Sequence, residues 1–142
     1  STYWTERIGP VAALATIKKF RENKVHEHLV AIGKKICSGW RTVADRHGLP
    51  LETSGMEPLA HFSIKSEHSQ AARTLFTARM LEKGYLATNS LYATYAHQMS
   101  QLDAYIEVLD EVFAELAEAL TSGTLDELLN SPVAHDGFKR LA

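Results

Sequence analysis

A single cysteine, four prolines and no apolar run longer than the five residues Val11 to Ala15 put several protein classes out of reach. One thiol, Cys37, cannot close an internal disulfide, and its place among helical residues predicts an inert, buried side chain in a reducing, cytoplasmic setting. Five apolar residues are far too few to span a bilayer, and no signal-peptide pattern precedes them. A surplus of positive charge is also missing. Fifteen Lys and Arg against seventeen Asp and Glu leave a net charge of -2, with both signs interspersed, so no basic face for a nucleic-acid backbone is expected.

Catalytic signatures are equally scarce. There is no G-x-S-x-G, no P-loop and no dinucleotide fingerprint. Seven histidines are present, yet none are spaced by three or four, the separation that brings two side chains to one face of a helix. His26 and His28, two apart, point to different faces, so no protein metal site is expected. Glu107, Asp110, Glu111, Glu115 and Glu118 fall opposite an apolar stripe and read as a solvated face.

What is present is an amphipathic pattern over 142 residues, 45% of them hydrophobic, enough for one core. Val11, Leu14, Ala15 and Ile17 form a stripe behind Pro10 and ending near Phe20, which predicts a first helix; Asn23 reads as a cap for a restart. Val25, Leu29, Ile32, Ile36, Trp40 and Val43 predict a second and longer one, ended by Gly48 and Pro50. Leu51 to Lys65, broken by Gly55 and Pro58, reads as two strands or a hairpin. A third helix starts within Ser66 to Ser69, carries Ala72, Leu75, Phe76, Met80 and Leu81, and stops at Gly84.

Tyr85 to Tyr95 reads as a strand, a turn at Asn89-Ser90 and a second short strand. Ser100 with Asp103 forms an acidic variant of the capping box for a fourth helix, striped by Leu102, Tyr105, Ile106, Leu109, Val112, Phe113, Leu116 and Leu120. Thr124 with Glu127 opens a short last helix, and the tail from Ser131 is loop with a closing turn. The expected class is α+β, with helices on one face of a small antiparallel or mixed sheet.

The two ends are more specific. The chain opens without Met on S-T-Y-W-T-E-R, a polar and aromatic stretch that runs into the A-L-A-T of Ala13 to Thr16. Gly84 to Ala87 reads G-Y-L-A and is followed by L-Y-A-T-Y-A-H, and the tail reads P-V-A-H-D-G-F-K-R-L. In order and spacing these segments resemble the final part of the class III aminotransferases that use pyridoxal 5'-phosphate (PLP), especially the branch near glutamate-1-semialdehyde aminomutase. There, G-T-F-S-G-N-P leads into a helix containing G-L-A-T.

This resemblance implies the C-terminal small domain of a fold-type I enzyme. Residues 1–20 would be a cofactor-reaching loop and connecting helix from the large domain, and residues 21–142 the small domain. Ser1 is then not expected to be the start of the parent protein. Thr2 falls on the family threonine that hydrogen-bonds the cofactor phosphate of the neighbouring subunit, which implies a homodimer. A short hydroxyl beside free helix N–H groups suits that role, although on the residues alone the favoured reading is that Thr2 merely caps the turn. Tyr92, Thr94 and Tyr95 would lie near substrate access, or else serve as core or rim.

Two departures favour ordinary transamination over the mutase reaction. Tyr92 stands where the aminomutase pattern has Glu, and the segment after it is shorter. Separately, Glu6 and Arg7 replace the usual Asn-Pro, so the path of the opening loop is expected to differ from the family's. No lysine aligns with the Schiff-base lysine, which belongs with the pyridinium-pairing aspartate to the large domain, so no catalytic residue is assigned in this chain and it is expected to be inactive alone. The alternatives are a non-catalytic helical interaction or dimerisation module of the same fold, or the aminomutase itself.

Overall fold

One of the two long helices is α2, Val25–His47, and the rest of the fold is built on one of its faces. Ile32, Ile36, Trp40 and Val43, three or four residues apart, are almost completely buried. Gly48 ends the helix in the left-handed region at φ 67, which lets the Leu49 N–H reach back to the Ala44 carbonyl at 2.9 Å. The computed structural model describes residues 2–3, 5–135 and 137. Trp4 and, in the tail, Asp136 and the F-K-R-L segment lie outside these residues.

Strand β1 (Leu51–Ser54) and strand β2 (Leu59–Ile64) form the expected hairpin, with Leu51 opposite Ile64 and Ser54 opposite His61. Strand β3 (Ser90–Tyr92) pairs antiparallel on the other edge of β2, so the sheet order is β1-β2-β3 and no parallel pair occurs in it. Ala60, Phe62 and Ile64 point to one face and are buried, whereas Leu59 and His61 face outward. That alternation is why all packing helices lie on one side.

Helices α3 (Ser69–Glu82) and α4 (Met99–Ser122) complete the layer, and α5 (Leu125–Leu128) closes its end. Phe62 sits at the centre of the core: its ring lies 5.0 Å from Trp40, 5.3 Å from Phe76 and 5.8 Å from Phe113, all steeply tilted. The tail runs back along α3, where the Gln70 amide donates to the Ala134 carbonyl at 2.7 Å and the Ala134 N–H to the Thr74 hydroxyl at 3.1 Å.

Several expectations change. The first helix, α1, spans Ile8–Glu22, beginning two residues before Pro10, and none of its residues is buried. Its stripe of Val11, Leu14 and Ile17 faces solvent. Asn23 caps the C-terminus of α1, and the restart falls to Lys24, the one non-glycine with positive φ among the described residues. Leu81 is 57% exposed, off the buried face of Leu75, Phe76 and Met80.

The expected turn at Asn89-Ser90 does not form. Residues 85–88 are not a strand; instead Asn89 lines up on Phe62, accepting its N–H and donating its amide to its carbonyl, both at 2.9 Å, and leads straight into β3. The capping pair of α4 is Gln98 with Gln101, whose Oε1 accepts the Gln98 N–H at 2.9 Å, two residues before Ser100 and Asp103. The acidic row on α4 is not simply solvated. Asp110 binds Arg46 and His47, Glu111 binds Lys83, and Glu115 accepts the Arg79 guanidinium at 2.8 and 3.0 Å. Only Glu107 and Glu118 of the five keep to open solvent without such a pairing among the described residues.

Candidate functional site

The chain between α3 and α4 carries most of the candidate residues, and its path is set by Gly84. At φ 88 this glycine turns the backbone so that the Tyr85 N–H bonds the Met80 carbonyl at 2.8 Å. Tyr85 then stacks edge-on against Tyr105 of α4, with ring centres 5.7 Å apart. Leu86 points outward, Leu91 packs inward, and Ala93 bonds the Pro58 carbonyl at 2.9 Å, which pins this end of the segment to the β1–β2 hairpin.

Tyr92, Thr94 and Tyr95 come together on this segment and all three are exposed. Thr94 is held by His97: its N–H donates to His97 Nδ1 at 3.0 Å, while the His97 N–H returns to the Thr94 carbonyl at 3.2 Å. An accepting Nδ1 places the proton of the neutral ring on Nε2. His28 of α2 donates from Nε2 to the His97 carbonyl at 2.9 Å and meets Tyr95 edge-on at 5.3 Å. The two histidines therefore fasten the 94–97 turn to α2.

Thr2 sits elsewhere, exposed on a turn six residues before the start of α1. The Glu6 N–H bonds the Tyr3 carbonyl at 3.2 Å, and the Glu6 carboxylate accepts the Gly9 N–H at 3.1 Å. One of the free N–H groups at the helix start is thus occupied by a side chain of this chain.

Behind the 85–91 segment lies a cavity of about 250 Å³, walled by Ile36 and Trp40 of α2, Leu102 and Tyr105 of α4, and Leu91. At its inner wall Trp40 Nε1 donates to the Tyr105 hydroxyl at 3.0 Å. Burial pushes the Tyr105 phenol up to about 12, against the opposing pull of the Trp40 bond. Reading the sequence missed Trp40, Tyr105, His28 and His97 as site residues. Trp40 and Tyr105 are 65 positions apart, and His28 and His97 are 69 apart, so no local spacing signals either pair.

Cys37 is half-buried rather than buried, and burial raises its thiol pKa despite nearby Arg41, which keeps it in the unreactive thiol form. No group of three potential metal ligands occurs among the described residues, and no described helix is long and apolar enough to cross a membrane.

No family model matches the chain. It is 21% identical over 123 residues to an aminopentol aminotransferase of Sphingopyxis macrogoltabida, a match covering 85% of this chain and 29% of that protein. Among solved structures it resembles the PLP internal aldimine form of the FumI protein of Sphingopyxis sp. MTA144, with a TM-score of 0.68 and 22% identity over 78% of this chain and 27% of the other. The chain thus spans under a third of the length of the proteins it matches. Its α+β architecture, with helices on one face of a three-stranded antiparallel sheet, is a fold found within a PLP enzyme.

Proposed function

We propose that this chain is the C-terminal portion of a PLP-dependent class III aminotransferase. The parent would move an amino group between an amino acid or amine and a keto or aldehyde acceptor. The observation that carries this reading is the agreement of fold with FumI over 78% of the chain, joined by the likeness to an aminopentol aminotransferase over 85% of it. When bound, PLP supplies the electron sink for amino-group transfer.

The described residues suit a supporting part in holding that group. Lys35, Lys65 and Lys83 lie at the surface, paired with Asp103, Glu52 and Glu111, which is no setting for a cofactor-linked lysine. The exposed Thr2 hydroxyl is a donor able to reach a phosphate held mainly by the rest of the parent, in trans across a homodimer. Residues 1–20 would be the loop and helix joining the large domain, and residues 21–142 the small domain. Exposed Tyr92, Thr94 and Tyr95, braced by His28 and His97, would form one wall of the substrate entrance and limit water there. The whole would work in the cytoplasm, and this chain alone would be inactive.

Expression from a reading frame extended upstream of Ser1 tests the proposal. A product that takes up PLP, shows its visible absorbance band and changes that band on adding an amine is expected. A frame that extends into no lysine-bearing PLP domain would sink the idea. A second reading, a non-catalytic interaction or dimerisation module, draws on α1, whose Ile8, Val11 and Leu14 are 76%, 62% and 69% exposed. Such a module would bind no PLP in the same experiment.

A further inference from the structure

We infer that the cavity between α2, α4 and residues 85–91 is a binding site for a small neutral ketone or aldehyde, with its carbonyl on the Tyr105 hydroxyl and its apolar body against Trp40 and Leu102. The first ground is an unspent donor. A phenol oxygen can accept and also donate, and here it accepts the Trp40 N–H at 3.0 Å while its own proton meets no acceptor among the described residues. A donor in such a place gains from any acceptor brought to it, because leaving it unmade forfeits more than an average hydrogen bond is worth. With its pKa pushed up to about 12, the phenol remains a donor throughout the range in which proteins work.

The second ground is charge. The described residues around the cavity include no carboxylate, lysine or arginine; its polar members are hydroxyls, the Trp40 indole, His97 and Gln101. A carboxylate or ammonium entering would lose hydration without a countercharge, so the fitting ligand is neutral. The third ground is size. An apolar cavity of roughly 150 Å³ takes a benzene, so about 250 Å³ holds a cyclic or branched carbonyl compound of roughly seven to ten non-hydrogen atoms. This site stands on the chain's own residues and does not depend on PLP.

Cyclohexanone and methylenecyclohexane have one shape and differ in the acceptor, which makes them the probes. Each is titrated into the 142-residue chain while the indole N–H resonance of Trp40, identified by its loss in Trp40→Phe, is followed by NMR. The expected result is a saturable shift with the ketone binding about tenfold tighter than the alkene, the scale of one buried hydrogen bond. Tyr105→Phe is expected to erase that preference, and Ala87→Phe, which fills the cavity from the 85–91 segment, to abolish binding of both. No saturable shift at Trp40, equal affinities for the two probes, or a preference that survives Tyr105→Phe would each overturn the assignment. Should Tyr105→Phe fail to fold, the ketone-to-alkene ratio in the unaltered chain and the effect of Ala87→Phe decide.

Discussion

Trp40 on α2 donates its indole hydrogen to the phenol oxygen of Tyr105 on α4 at 3.0 Å, a side-chain hydrogen bond that joins the two longest helices at the cavity wall. The bond has a direct consequence for pH. The phenol has an ordinary value of 10 and is raised by burial to about 12, so the unfolded chain releases this proton first. Between those values the unfolded state binds fewer protons than the folded one, and stability falls as pH rises. Urea titrations from pH 9 to pH 12 are expected to show a loss of about 2 kcal/mol that is absent in Tyr105→Phe.

Gly33 marks where α2 touches the β1–β2 turn. A Cβ built there would lie 1.9 Å from the Glu57 carbonyl oxygen, so the helix and the turn cannot both keep their places. Replacing a helical glycine by alanine ordinarily gains about 1 kcal/mol from helix propensity. Here the clash with main chain wins, and Gly33→Ala is expected to destabilise by about 2–3 kcal/mol, read as a lowered urea midpoint.

Phe62 and Leu81 make a contrasting pair. Phe62 is 1% exposed and touches three aromatic rings, so Phe62→Ala is expected to cost about 3–5 kcal/mol in chemical denaturation. Leu81 is 57% exposed, and Leu81→Ala is expected to stay within about 0.5 kcal/mol in the same assay.

Asp110 accepts from His47 at 2.9 Å and from Arg46 at 2.6 Å, and the His47 bond, with the Arg46 charge, holds its pKa below the usual carboxylate value. A depressed folded value means stability present at neutral pH and lost as pH falls through the carboxylate range. The group is more than a third exposed, so the effect is small and screened. Asp110→Asn is expected to flatten that acid-side slope while changing stability at pH 7 by less than about 1 kcal/mol.

Thr2→Ala addresses the phosphate reading. If the proposed parent is a PLP-binding dimer, the variant is expected to weaken its PLP affinity severalfold without altering the unfolding of this chain, as followed by cofactor absorbance and circular dichroism. Unchanged affinity removes Thr2 from the site.

Much of the architecture was legible in the residue order. Stripes such as Ile32, Ile36, Trp40 and Val43 commit α2 to one buried face because 3.6-residue periodicity leaves no other way to remove them from water. The hairpin of β1 and β2 and the glycine ends at Gly48 and Gly84 follow from equally local chemistry. The path of residues 85–90 was not legible, because Asn89 is placed by its carbonyl and its side-chain amide on the main chain of Phe62, 27 positions away. The start of α4 was misplaced as well: the cap is the local pair Gln98 and Gln101, two residues before Ser100 and Asp103.

The sequence by itself determined that this is an α+β chain with one buried helix layer, and it grouped Tyr92, Thr94 and Tyr95 on one segment. Only the tertiary structure decided that His28 and His97 hold that segment, that Trp40 meets Tyr105 beside a cavity, and that the apolar stripe of α1 remains uncovered. Periodicity states which side chains must leave water, whereas contacts across more than sixty positions depend on where whole helices come to rest.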